Sequence, residues 1–266
     1  MSTRLEQAFA RMKAEQRTGL VTFVSGGDPT LERSGEVIRA LDEGGADVIE
    51  IGVPFSDPLA DGPEIQRSSE RALRAGTTLR GVLDLVGHIR KEVAAPLVLF
   101  SYANPVVRYG LEAFADRAAS VGVDGVLLLD LPLDEAGPVR DILVTRGIAP
   151  IFLLSPTTTA ARVAQADALG QGFLYAISRL GVTGVREEVA ADARDLVARI
   201  RAHATLPIAL GFGLSRPEHV RDVGRYADAA VVGSALVAQI ARHGQSPQLA
   251  DEVRRFVAWL RSGEGA

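Results

Sequence analysis

The sequence predicts a closed (β/α)8 barrel, a TIM barrel built as a single domain over residues 1–266. Three observations carry that expectation. Eight short runs of β-branched and apolar residues alternate with longer stretches of helical apolar spacing. Parallel strands need a crossover at every return, and each interval between runs is long enough for a helix. A chain of 266 residues with 47% hydrophobic content suits one barrel with a large core. An open doubly wound sheet shares the alternation, because closure leaves no mark on the pattern.

The chain opens on MSTRLEQAFARMKAEQ, a mixed-charge amphipathic stretch read as a leading helix and unlike a signal peptide. Strands are expected at 20–24, 48–52, 97–102, 125–130, 150–154, 173–177, 208–211 and 230–233. Helical spacing fills the intervals, as at 111–120 and 188–203. Two intervals are unusual. A long segment, 55–78, follows the second strand before a helix that starts near Leu79. The glycine-rich SRLGVTGVREE, 178–188, follows the sixth. Both would lie on the C-terminal face of a barrel, where active sites form and long loops serve as lids.

Bulk composition narrows the function. The net charge is −4 without a basic block, which argues against nucleic acid as the main partner. No apolar run reaches membrane-spanning length, and the absence of cysteine removes disulfides and thiolate chemistry. A soluble cytoplasmic protein is expected.

The second strand raises the sharpest question. In DVIEIGVPFSDPLADGP, Ile49, Ile51 and Val53 share one face, suited to packing under helices. Val48, Glu50 and Gly52 share the other and point into the barrel. Glu50 then faces the pocket. It is half of a buried ion pair, a strand-edge glutamate, or an acid whose raised pKa lets it trade protons near neutrality. Asp57 and Asp61 follow on a proline-stiffened loop. Each reads as a turn former, or as a second carboxyl for acid/base work.

Glycines cluster after three consecutive strands, in GVTG (181–184), GFGLS (211–215) and GSA (233–235). Tight βα turns explain each. Together they also suit a phosphate held by backbone N–H groups and helix N-termini. The only lysines, Lys13 and Lys91, are away from strand ends, so a Schiff base is not expected. The four histidines lack ligand spacing, so no metal site is expected. Carboxylate acid/base catalysis without metal or organic cofactor remains. Phe23, Phe100, Tyr102, Leu127, Tyr175 and Phe212 fall at or near strand C-termini. They suggest a flat apolar substrate part, although core packing accounts for any one of them and is the stronger reading of Leu127.

In order, FVSGGDP, IEIGVPFSDPLADGPEIQ, SYANPVVRYG, DLPLDE, FLLSPTTT, YAISRLGVTG, LGFGLS and VVGSALV resemble the tryptophan synthase alpha chain family over nearly the whole length. The resemblance implies retro-aldol cleavage of indole-3-glycerol phosphate to indole and glyceraldehyde 3-phosphate. It implies Glu50 as the general acid/base and Asp61 as the group that holds the indole N–H. Tyr175 would be the active-site tyrosine, and Thr183 the loop threonine that meets Asp61 on closure. Gly184, Gly213, Gly233 and Ser234 would cradle the phosphate. It further implies a beta-chain partner in an alpha2beta2 heterotetramer. Pro54, Asp57 and Asn104 would stand at docking and signalling positions, with pyridoxal phosphate only in the partner. Two residues depart from the pattern. Leu129 stands where the family often has a smaller residue or proline, and Phe100 is bulky for its place. Both would narrow the indole pocket, a matter of rate rather than reaction type. Three rival readings stay open: a sugar-phosphate isomerase or epimerase, a non-catalytic activator of the beta chain, and a free-standing lyase that releases indole.

Overall fold

A computed structural model describes residues 2–178, 186–211 and 213–263, with the side chains of all but 186–191. Eight parallel strands close into a barrel in chain order: β1 (Gly19–Ser25), β2 (Val48–Gly52), β3 (Leu97–Ser101), β4 (Gly125–Leu128), β5 (Ala149–Leu154), β6 (Leu174–Ile177), β7 (Ile208–Gly211) and β8 (Ala229–Val232). Closure is made by β1 on β8, with Gly19 opposite Ala229. β3 and β4 stop sooner than their apolar runs suggest. Tyr102 instead caps a short helix, α5 (Ala103–Tyr109), whose first N–H donates to Asp130 Oδ1 at 2.6 Å.

Alternation sorts the strand residues into two layers. Ile49, Ile51, Leu97 and Leu99 pack outward under the helices, while Val21, Val48, Val98, Ile151 and Val231 fill the barrel. The leading helix, α1 (Arg4–Ala14), begins at a Thr3–Glu6 capping box and closes the N-terminal end of the barrel. Leu5, Phe9 and Met12 are its buried stripe. They join the inner core, with the Phe9 ring 5.3 Å from that of Phe173. The seat is cut close: a Cβ on Gly19 would lie 2.2 Å from Met12 Sδ and 3.0 Å from Ala229 Cβ, so the Met12 side chain would have to shift.

The segment 55–78 is not one long loop. Residues 63–74 form α3 (Pro63–Arg74), with Gly62 at the cap and Pro63 in the first turn, where a missing N–H costs nothing. Pro58 and Pro63 predict a loop throughout, but Pro63 opens a helix instead. Thr78 then caps α4 (Leu79–Ile89) by accepting from Gly81 N. The outer layer is completed by α2 (Leu31–Glu43), α6 (Leu111–Val121), α7 (Ala136–Val144), α8 (Ala160–Leu169), α9 (Arg186–Arg201), α10 (Pro217–Val223), α11 (Ser234–His243) and α12 (Leu249–Ser262). α12 packs on α2 across the seam, where Arg261 Nη1 donates to Gly45 O at 2.7 Å. Among the described residues no helix is long and apolar enough to cross a membrane, and no acidic, histidine or cysteine cluster stands ready for a metal ion.

Candidate active site

Glu50 lies mid-strand on the inner face of β2, in register with Phe23 of β1 and Val98 of β3. Its side chain is fully buried, and neither carboxyl oxygen has a hydrogen-bond partner. The other buried carboxylates among the described residues are all paired. Asp28 binds Arg71, Asp47 binds Arg17, and Asp124 binds Arg90 and Arg4. Glu50 has no such cation, so burial alone acts on it and pushes its pKa up to about 8. The ion-pair reading of Glu50 therefore gives way to a carboxylic acid protonated at neutral pH.

Asp61 sits on the loop between β2 and α3. Its N–H donates to Pro58 O at 3.1 Å, and Gln66 Nε2 donates to Asp61 O at 2.9 Å. Its side chain is half-buried and accepts from Tyr102 Oη at 3.3 Å, while Ala60 N donates to the same Oη at 3.1 Å. Burial raises Asp61 to about 6, and the Tyr102 hydrogen bond pulls it the other way. Tyr102 itself is pushed up to about 12, first by burial and then by the Asp61 charge. It stays a neutral donor, with the Phe55 ring tilted against it at 4.9 Å.

Tyr175 stands on the inner face of β6. Burial holds its hydroxyl well above the usual phenol range, and the charges of Glu50 and Asp61 raise it further. The charges of both carboxyl groups thus reach Tyr175. Phe100 meets Tyr175 at 6.2 Å and Phe23 at 5.4 Å, both edge-on, and these three rings form an apolar wall at the mouth. Leu127 is fully buried in the inner core, beside Phe100 in register on the neighbouring strand. Leu129 and Phe100, the two departures from the family pattern, are both partly buried against that core.

β8 runs directly into α11, so the positive end of that helix points to the C-terminal face. Gly233 is the cap residue and Ser234 the first helical one, with no side chain occupying the cap hydrogen bond. Gly213, after β7, has φ +54°, a conformation that favours glycine. Gly213 and Gly233 thus follow adjacent strands, β7 and β8. Thr183, Gly184 and Phe212 lie outside the described residues.

On the same face, Pro54 is buried, while Asp57 and Asn104 are exposed. The sequence reading missed two neighbours, Leu59 and Val107, which are 92% and 71% exposed. Leu59 carried a signal. It stands between two aspartates on a proline-rich loop that offers no strand or helix face to bury it. The Tyr102–Asp61 bond was also missed, since it joins residues 41 positions apart.

The model of the family described as tryptophan synthase alpha chain matches residues 9–261. The chain belongs to that family. Curated tryptophan synthase alpha chains agree along their whole length. That of Solibacter usitatus is 44% identical and covers 99% of each chain, and that of Rhizorhabdus wittichii is 49% identical over 97% of this chain and 95% of its own. The crystal structure of tryptophan synthase subunit alpha from Legionella pneumophila superposes with a TM-score of 0.91 at 32% identity, covering 98% of each chain. Tryptophan synthase from M. tuberculosis in its aminoacrylate-bound form gives 0.88 at 33% identity, over 98% of this chain and 99% of that one. The chain therefore carries the tryptophan synthase alpha reaction, a carbon–carbon lyase step of tryptophan biosynthesis. The isomerase and epimerase readings fall away.

Proposed function

We propose that Glu50 is the proton donor and acceptor in retro-aldol cleavage of indole-3-glycerol phosphate, with Asp61 holding the ring N–H. The observation that carries this is the fully buried, unpartnered Glu50 carboxyl, set where the Asp61 charge also reaches. Glu50 protonates indole C3, which leaves a positive charge on the ring nitrogen. Asp61, ionised above about pH 6, stabilises that charge. The Glu50 carboxylate then removes the proton from the adjacent glycerol hydroxyl. The O–H electrons form the aldehyde, the C–C bond breaks, and its electrons return to the ring. Indole and glyceraldehyde 3-phosphate leave, and Glu50 is again protonated.

Phe23, Phe100, Tyr102 and Tyr175 supply walls for the flat ring, and Leu127 supports them. Gly213, Gly233 and Ser234 take the phosphate with backbone donors and the α11 dipole. Thr183 and Gly184 are assigned, by family resemblance alone, to closure over Asp61 and to the phosphate; Phe212 is assigned to the pocket wall from its place just after β7 in the sequence.

The chain is read as a cytoplasmic subunit of an alpha2beta2 assembly with a tryptophan synthase beta chain, in which pyridoxal phosphate belongs to the partner. Exposed Asp57, Asn104, Leu59 and Val107 give that partner a mixed apolar and polar footing, with Pro54 beneath it. Measuring indole release from indole-3-glycerol phosphate by the purified parent and by Glu50→Gln tests the reading. A variant that keeps more than roughly a tenth of the parent rate would remove Glu50 from the role, since general acid/base groups contribute about 10²–10⁴-fold.

A further inference from the structure

We infer that the Asp28–Arg71 ion pair, with the Ser25–Ser68 hydrogen bond beside it, is a clasp that positions Asp61. The inference rests on the role proposed above for Asp61. Asp28 follows β1 and is fully buried, and Arg71 lies in the last turn of α3. Arg71 Nε donates to Asp28 Oδ1 at 2.8 Å and Nη2 to Oδ2 at 2.7 Å, a two-point contact that fixes both distance and orientation. One turn earlier on α3, Ser68 Oγ meets Ser25 Oγ at 2.5 Å, and both side chains are buried. The β1 end is itself tied to β2, because Gly26 N donates to Gly52 O at 2.8 Å, two residues beyond Glu50.

The loop that carries Asp61 has few anchors of its own. Its backbone bonds at Leu59 and Asp61 are internal, and Gln66 returns to it from α3. Among the described residues its side-chain hydrogen bond to the barrel is the Tyr102 contact. α3 starts at Pro63, two residues after Asp61. The docking of α3 therefore sets where the loop ends. In this pair Asp28 is wholly desolvated while Arg71 stays 31% exposed, and the desolvation of Asp28 offsets much of what the pairing contributes to stability. What the bidentate pair adds is a fixed geometry between the β1 end, beside Phe23 and Glu50, and the helix that delivers Asp61.

The test measures kcat, KM, the pH profile and thermal unfolding for Arg71→Met, Arg71→Lys and Asp28→Asn, with Asp61→Asn as the reference. α3 also rests on α11, so affinity for glyceraldehyde 3-phosphate is measured as the control for the phosphate cradle. For Arg71→Met, kcat should fall about ten- to a hundredfold, the scale of a roughly 1 Å misplacement, with KM and product affinity within about threefold. The acid limb of kcat/KM should move down as Asp61 swings into water, and Arg71→Lys should recover only part of the rate. A purely structural pair would lower kcat and product affinity together and leave the acid limb in place, and that result overturns the clasp. So does an Arg71→Met rate within twofold of the parent while Asp61→Asn is inactive. Full activity in Asp61→Asn would overturn the Asp61 reading and the clasp with it. Asp28→Asn and Ser68→Ala, both close in size to the parent residues, carry the same measurements if Arg71→Met does not fold.

Discussion

Glu50 and Asp61 are two carboxyl groups that burial drives to different pKa values, about 8 and about 6. The proposed mechanism needs the first protonated and the second ionised, so kcat/KM should rise through about pH 6 and fall through about pH 8. Asp61→Asn should remove the lower limb from whatever rate is left. A profile flat from about pH 5 to 9 would reject the pair as acid and base. Glu50 also leaves a mark on stability. Its folded pKa stands above the ordinary 4.5, so the native state holds a proton that the unfolded chain releases. Its contribution is fully present below about pH 4.5 and is lost as pH rises through about 8. Glu50→Gln does not titrate. Against the parent it should match at about pH 4.5 and gain on the order of a few kcal/mol by pH 9, read from denaturant midpoints. An equal difference at both pH values would mean that Glu50 is not kept protonated.

Two elements carry predictions of their own. At the head of α11, a Cβ on Gly233 would sit 3.4 Å from Phe23 Cβ, ordinary contact, so Gly233→Val builds into the cradle without backbone strain. It should raise KM for the phosphorylated substrate severalfold and leave the affinity for free indole nearly intact. Gly213→Val should raise KM too, with an added folding cost from its φ of +54°. Equal loss for both ligands would point to general distortion. At the other end of the barrel, Leu5→Ala in α1 should cost about 2–5 kcal/mol of stability, because it opens a cavity in the inner core. Denaturant unfolding measures it. The eight strands and the inward face of β2 were legible because alternation is local to a few residues. The inner face of Glu50 followed from Ile49, Ile51 and Val53 alone. The plugging role of α1 was not legible, since its Leu5, Phe9 and Met12 stripe fits any docked helix, and only the closed barrel supplies its seat. α3 was hidden by prolines at 58 and 63, although Pro63 marks a helix start as readily as a loop. Arg71 and Tyr102 gave no sign of Asp28 and Asp61, because nothing in sequence spacing encodes contacts across 43 and 41 positions.

As a whole, the molecule concentrates its chemistry on one face and seals the other. A tryptophan synthase beta chain docked on the open face should raise the rate of indole release, and Asp57→Ala should lose most of that gain. Rates of parent and variant, each with and without the partner, check both points. Full stimulation of Asp57→Ala takes Asp57 out of the docking surface, and a parent chain equally active alone favours a free-standing lyase. The sealed face has a consequence for synthesis. The bottom of the barrel is closed by the first helix, yet its seat is finished by Ala229 of β8, the partner of Gly19. On the ribosome, roughly 200 residues must still emerge after α1, which takes about 10–40 s. For that time β1 keeps an unpaired edge, and Leu5, Phe9 and Met12 have no finished seat. The nascent chain is thus a sticky one until nearly its last strand, and its yield in a cell depends on how well that early apolar segment is shielded.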